Sequence, residues 1–114
     1  MSDISVLDEL KQDAVLIEFL GRIAPLRGQI RRLILFGSRA RGTHQFASDY
    51  DVLVVVSRKT DALFDALYDA VMDVLLSHGR LVSLKVFEEA EFHRLQELRT
   101  PFMQRIEQEG VSIG

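Results

Sequence analysis

Apolar residues form two short runs near the middle of the chain and a third, alternating run further on. The first two, Leu33–Phe36 and Val52–Val56, predict strands over Ile30–Phe36 and Tyr50–Val56. The second is apolar at nearly every position, which is typical of a strand that is buried on both faces. In the third run, residues 81–87, apolar side chains alternate with Ser83 and Lys85, so one face is apolar and the other polar. The pattern predicts three strands.

Apolar positions at three- and four-residue steps predict helices around these strands. The predicted segments are residues 3–26 (two helices if Asp13 caps a second one), Asp61–His78 after the cap Thr60, residues 88–98 and residues 101–110, followed by a short edge strand at 111–113. This order predicts an α/β (α+β) fold, in which helices pack against a small mixed sheet. At 114 residues, the chain is expected to form a single domain, residues 1–114.

The segment between the first two strands carries candidate chemistry. From Gly37 to Asp51 it reads G-S-R-A-R-G-T-H-Q-F-A-S-D-Y-D. Gly37 allows the backbone to approach a phosphate closely, and Ser38 offers a hydroxyl donor. Arg39 and Arg41 offer planar, permanently charged donors for phosphate oxygens. This combination predicts a phosphate-binding turn.

Two aspartates lie at the entrance to the second strand. Asp49 and Asp51 are two residues apart, so both carboxylates are expected on one face, with Cα atoms about 6.6 Å apart. Carboxylates that close repel each other unless a cation lies between them. Mg²⁺ suits such a pair, because it prefers oxygen ligands and often binds one or two carboxylates together with substrate phosphates. A two-ion site for phosphoryl or nucleotidyl transfer is therefore predicted.

Charge and composition exclude some classes of protein. Fourteen basic and 17 acidic residues give a net charge of −3, which argues against a general nucleic-acid binder, because that class needs a basic face for phosphates. The absence of cysteine excludes disulfides and thiolate metal sites. No signal-like start and no apolar run of about 18 residues occur. We therefore expect a cytoplasmic protein without a membrane span.

These motif residues carry a family resemblance. Gly37-Ser38, ten further residues, and then Asp49-x-Asp51 resemble the signature of the polymerase-β-like nucleotidyltransferases. The longer strings L-F-G-S-R-A-R-G and S-D-Y-D-V-L-V are similar to the minimal nucleotidyltransferase (MNT) branch. The resemblance implies the nucleotidyltransferase fold, Mg²⁺ at the two aspartates, and ATP or another nucleoside triphosphate held at Gly37 and Ser38. It also implies a protein partner, because many minimal members are antitoxins of HEPN-domain toxins and some transfer AMP to a toxin tyrosine.

The sequence departs from the family pattern at one point. Enzymes of this superfamily usually place a third carboxylate on a later strand, but residues 80–87 contain no acid. Ser83 and Lys85 are expected on the polar face where that acid would lie. Glu88 and Glu89 follow directly, and their position at a predicted helix start favours ordinary helix capping. Nucleotide binding is therefore better supported than rapid turnover.

Two functions are compatible with these residues. The first is a nucleotidyltransferase that binds ATP–Mg²⁺ and transfers AMP to a hydroxyl group of a protein partner, as the antitoxin of a HEPN/MNT toxin–antitoxin pair. The second is a non-catalytic, nucleotide-binding antitoxin or partner-binding subunit. Transfer to a small molecule is disfavoured, because so short a chain leaves little surface for a dedicated acceptor pocket.

The long predicted helix has an acidic stripe. Its four aspartates are spaced four residues apart, at Asp61, Asp65, Asp69 and Asp73. Like charges at this spacing repel each other by about 0.2–0.5 kcal/mol per pair. A solvated helix face is the usual explanation, and a docking surface for a basic partner is the functional alternative.

Overall fold

The computed structural model describes residues 8–43 and 48–114 of the chain. Residues 8–12 are helical. The elements that follow are α1 (Ala14–Ile23), a 3-10 helix (Ala24–Gln29), β1 (Ile30–Phe36), α2 (Ser38–Arg41), β2 (Tyr50–Val56), α3 (Asp61–His78), β3 (Val82–Glu88), α4 (Glu89–Leu98), α5 (Pro101–Glu109) and β4 (Val111–Ser112). The predicted mixed α/β architecture is confirmed.

The four strands form one sheet in the order β3-β2-β1-β4. β1 pairs antiparallel with β2 and with β4, whereas β2 pairs parallel with β3. Parallel neighbours need a crossover connection, and α3 provides it. The register places Phe36 of β1 and Ser83 of β3 on either side of Asp51. The start of the candidate phosphate turn, directly after Phe36, and the start of β3 therefore lie beside Asp51 on the sheet.

Helices cover both faces of the sheet. On one face, alternate β2 residues from Tyr50 to Val56 pack with the buried side chains of α1 and α3. On the opposite face, Leu53 and Val55 pack with Phe92 of α4 and with α5. This arrangement explains why β2 is apolar at nearly every position. Asp51 alternates with Tyr50 and so lies on the face of α4 and α5.

From β1 onwards the predicted helices and strands agree with the observed boundaries to within one residue, and the larger difference lies near the N-terminus. Asp13 caps α1, accepting hydrogen bonds from the backbone N–H groups of Val15 and Leu16 at 2.9 and 3.1 Å. The N-terminal segment therefore forms two helices with a break at Asp13, which is the second of the two predicted alternatives. Beyond residue 23 the chain continues as a 3-10 helix, with proline in its first turn. β3 begins one residue later than predicted. The predicted helical residues 3–7 lie outside the described ranges.

Within the described ranges, no helix has both the length and the apolar character that crossing a membrane would require.

Candidate active site

Gly37 connects β1 to α2 in a conformation that other residues avoid. Its φ of 77° and ψ of −159° lie in a region that is essentially restricted to glycine. A Cβ atom added there would be 2.5 Å from Oδ2 of Asp51. The backbone of the predicted phosphate turn therefore packs directly against one of the two predicted metal ligands. This contact joins the two halves of the motif.

The short helix α2 follows Gly37 at once. Ser38 is its first residue and is partly exposed. The helix closes with two backbone hydrogen bonds, from Arg41 N to the Gly37 carbonyl and from Thr43 N to the Ser38 carbonyl, both 3.1 Å long. Residues 44–47 of the motif lie outside the described ranges. Ser38 therefore follows directly after the glycine that approaches Asp51, and its predicted contact with a phosphate stays a prediction.

Arg39 takes a direction that the sequence did not predict. Its side chain is buried, with 7% of the residue exposed. Its Nε and Nη2 groups donate to the Ser48 carbonyl at 3.2 and 2.9 Å, and its guanidinium lies 4.1 Å from the ring centroid of Tyr50. The guanidinium therefore holds the chain that leads into the two aspartates. Its predicted contact with a phosphate stays a prediction.

Tyr50 lies between the two aspartates in sequence but on the other face of the sheet. Its hydroxyl donates to Oδ2 of Asp13 at 2.7 Å. Burial, followed by the nearby Asp13 carboxylate, raises the pKa of Tyr50 to about 12. The N-terminal cap of α1 is thereby tied to the start of β2. Sequence reasoning missed this link, because 37 residues separate its partners.

The aspartate pair is electrostatically strained. Burial raises the pKa of the Asp51 carboxyl, and the negative charge of Asp49 raises it further. The positive charges of Lys85 and Arg41 oppose this rise without cancelling it. Mutual repulsion of this kind is what the sequence predicted for two carboxylates in close proximity. A divalent cation would relieve it.

β3 presents no carboxylate beside this pair. In the strand register, Ser83 pairs with Asp51 and Lys85 pairs with Leu53. Both side chains therefore lie on the same face of the sheet as Asp51, as predicted. Glu88 pairs with Val56, which lies five residues after Asp51 on β2. At 3.3 Å per residue, Glu88 is therefore about 16 Å from Asp51 along the sheet. Glu88 instead caps α4 in a reciprocal capping box with Glu91. It therefore does not replace the third acid.

A third acidic residue, Glu109 at the end of α5, is linked to the site through Arg41. Oε2 of Glu109 lies 2.9 Å from Nη1 of Arg41. Both side chains of this ion pair are partly solvent-exposed, and the positive charge of Arg41 also acts to lower the pKa of Asp51. Sequence reasoning missed this pair, because 68 residues separate its members.

The residues present fit a magnesium–nucleotide complex better than a metal ion alone. No cluster of three or more His, Cys, Asp or Glu side chains suited to a metal occurs in residues 8–43 and 48–114. Two carboxylates are nevertheless a usual protein contribution to Mg²⁺, whose remaining ligands are water and substrate phosphates. Asp49 and Asp51 can supply that pair, and Gly37 brings the backbone of the predicted phosphate turn next to Asp51.

Comparisons with known proteins agree with this geometry. The profile of the family described as "Polymerase beta, Nucleotidyltransferase" matches residues 18–114. The chain is also 31% identical over 86 residues to MJ0604 of Methanocaldococcus jannaschii, which is provisionally named a protein adenylyltransferase. That match covers 75% of this chain and 82% of the relative. The chain therefore belongs to the polymerase-β-type nucleotidyltransferase family, and the predicted family is confirmed.

Solved structures support the fold. A toxin–antitoxin crystallised with AMP-PNP superposes with a TM-score of 0.54 at 16% identity, over 85% of this chain and 70% of that one. A mutant of the toxin–antitoxin MntA-HpeT superposes with the same TM-score at 12% identity and the same coverages. At these identities the likeness establishes a common fold.

Proposed function

We propose that this protein binds ATP with Mg²⁺ and transfers AMP to a hydroxyl group of a protein partner. The observation that carries the proposal is the contact of Gly37 with Asp51, where a Cβ atom would be 2.5 Å from the carboxylate oxygen. A phosphate lying along this glycine backbone would be next to the acid pair. Nucleotidyl transfer requires this arrangement, because the reacting phosphate must be held where its charge is neutralised.

Each motif residue has a distinct role in the proposal. Asp49 and Asp51 hold Mg²⁺, which when bound supplies charge neutralisation at the phosphates. Ser38 donates its hydroxyl to a phosphate oxygen, and Arg41, kept in place by Glu109, adds a positive charge. The acceptor oxygen forms a bond to the α-phosphorus while the bond to the pyrophosphate oxygen breaks. The acceptor proton passes to solvent or to a base on the partner.

The proposed acceptor is a HEPN-domain toxin. Two observations support a protein acceptor. The relative MJ0604 is provisionally named a protein adenylyltransferase, and the superposed solved structures are those of toxin–antitoxin proteins. The chain would then act as an antitoxin, by modifying a hydroxyl of its toxin.

A second function is favoured by the composition of β3. Ser83 and Lys85 occupy the face where a third carboxylate would lie. Without that acid, the protein could bind the nucleotide and neutralise its partner by association alone. The two functions differ in one measurable consequence. Loss of both aspartates abolishes neutralisation in the first and spares it in the second.

One experiment tests the proposed transfer and its site. The protein is incubated with ATP, Mg²⁺ and its proposed acceptor, the toxin, taken as the product of the neighbouring gene. The intact mass of that toxin is then measured. Successive additions of AMP by the wild type, and none by Asp49→Ala/Asp51→Ala, are the expected results. The control Glu97→Ala/Glu107→Ala removes two exposed acids from α4 and α5 and should retain transfer. Undiminished transfer by the aspartate variant would reject the proposed site.

A further inference from the structure

The outer surface of α3 carries two parallel rows of side chains. Each aspartate of the acidic stripe lies three residues before an exposed or half-buried apolar residue, and residues at this spacing are neighbours on a helix. The pairs are Asp61 with Phe64, Asp65 with Tyr68, Asp69 with Met72, and Asp73 with Leu76. We call these eight residues the α3 ridge. The apolar row extends over about 18 Å, at 1.5 Å per residue.

The apolar row is not required for the core. α3 already buries a complete inner face, formed by Leu63, Leu67, Ala70, Val71 and Val74. Tyr68, Met72 and Leu76 are nevertheless 45%, 50% and 80% exposed. The rings of Phe64 and Tyr68 stack with centroids 6.2 Å apart, which gives the row a flat aromatic end. Three large exposed apolar side chains in one line are typical of an interaction surface.

The acidic row limits what can bind there. Asp73 forms an ion pair with Arg22 at 3.0 Å, whereas Asp61, Asp65 and Asp69 form none within the described ranges. Three successive uncompensated charges at i,i+4 spacing repel one another. A second copy of this chain docking through the same ridge would bring its own acidic row into the interface, and the ridge has no basic residue to pair with either row. The charge therefore favours a different, basic partner.

We propose that the α3 ridge binds an amphipathic helix of a partner protein, one whose apolar stripe is bordered by lysine or arginine. The partner's apolar side chains pack on Tyr68, Met72 and Leu76, and its cations pair with Asp65 and Asp69. Two helices pack in this way when the side-chain ridges of one fit into the grooves between those of the other. α3 covers the sheet face opposite to Asp51, so docking leaves the candidate active site open. The inference does not depend on nucleotidyl transfer.

The test uses a synthetic helix of leucine and lysine as probe, with a leucine and glutamate helix of the same pattern for comparison. Isotope-labelled protein is titrated with each peptide while backbone amide signals are followed by NMR. The lysine peptide is expected to shift the amides of the α3 ridge, and the glutamate peptide to shift none of them. Charge alone would draw the lysine peptide to any acidic surface, so the position of the shifts decides.

Two ridge variants and one control separate the contributions of the acidic row and the apolar row to peptide binding. Asp65→Lys/Asp69→Lys is expected to weaken binding about tenfold, because it replaces attraction by repulsion at a desolvated edge. Met72→Ser/Leu76→Ser should weaken it by a similar factor of about ten, through lost apolar contact. Glu97→Lys/Glu107→Lys makes the same change of charge away from the ridge and should change affinity less than about threefold. All four ridge positions are exposed, so the variants should fold, and circular dichroism checks this.

Three results would overturn the proposal. The first is lysine-peptide shifts that map outside α3. The second is equal affinity of the wild type and the Asp65→Lys/Asp69→Lys variant. The third is a dimer of the unliganded wild type, detected by light scattering, that Met72→Ser/Leu76→Ser dissociates, because the ridge would then serve a second copy. Failure of AMP transfer would leave the ridge proposal standing, and loss of ridge binding would leave the nucleotide site standing.

Discussion

Replacing Gly37 with alanine should damage both the stability of the fold and the geometry of the site. The backbone conformation at Gly37, φ 77° and ψ −159°, costs a non-glycine residue about 1–3 kcal/mol. The new methyl group would also be 2.5 Å from Oδ2 of Asp51, so the carboxylate must move. Together these effects should lower the free energy of unfolding by about 2–4 kcal/mol, a large part of the 5–15 kcal/mol typical of a domain.

Two other glycines provide matched controls. Gly79 ends α3 with φ 65° and ψ 25°, and an added Cβ would meet nothing within 4 Å. Gly79→Ala should therefore lower the free energy of unfolding by only about 1 kcal/mol, the cost of placing alanine in a left-handed backbone conformation. Gly21 lies in α1, again with nothing within 4 Å. Gly21→Ala should stabilise the protein by up to about 1 kcal/mol, because alanine is the better helix former.

Urea unfolding of the three variants and the wild type measures these differences directly. The expected order of stability is Gly21→Ala, wild type, Gly79→Ala and then Gly37→Ala. For a chain of this size, a loss of 1 kcal/mol in the free energy of unfolding lowers the melting temperature by about 4 °C. A Gly37→Ala protein as stable as Gly79→Ala would refute the reasoning, since it would mean that the approach of Gly37 to Asp51 is not tight.

Three further substitutions test the surroundings of the acid pair. Arg39→Lys loses the paired hydrogen bonds to the Ser48 carbonyl and the flat contact with Tyr50, so urea unfolding should show a loss of about 1–3 kcal/mol. Because the folded-state pKa of Tyr50 is raised from 10.0 to about 12, wild-type stability should fall as the pH rises through that window. Tyr50→Phe, which cannot ionise and lacks the bond to Asp13, should show a smaller fall in urea midpoints measured across it. The pKa of Asp51 is raised above 3.8, so its ionisation destabilises the fold as the pH rises through and above that value. Asp51→Asn should therefore melt at a higher temperature than the wild type at neutral pH without Mg²⁺, an advantage that disappears below pH 3.8.

Local patterns predicted most of the fold because each element carries its own signal. The apolar runs Leu33–Phe36 and Val52–Val56 lie within β1 and β2, and the structure gives both strands the predicted bounds. α3 has an apolar inner face, and its cap Thr60 accepts a hydrogen bond from Leu63 N at 3.1 Å. The 3-10 helix after α1 was not predicted, because proline tolerates the first turn of a new helix as readily as it ends an old one.

The candidate site was only partly predictable. The approach of Gly37 to Asp51 follows from the motif, because both residues flank one antiparallel strand pair. The direction of Arg39 does not follow, since a guanidinium can reach a phosphate or a backbone carbonyl equally well. The pairing of Arg41 with Glu109 depends on how α5 packs against the sheet, and no local pattern encodes that.

Binding of ATP in the presence and absence of Mg²⁺ tests the central claim most directly, because it requires no acceptor and no turnover. Calorimetric titration of the wild type should show binding that requires Mg²⁺, and Asp49→Ala/Asp51→Ala should lose it while remaining folded. The control Glu97→Ala/Glu107→Ala should bind as the wild type does. Binding that is independent of Mg²⁺ and unaffected by removal of both aspartates would contradict the account.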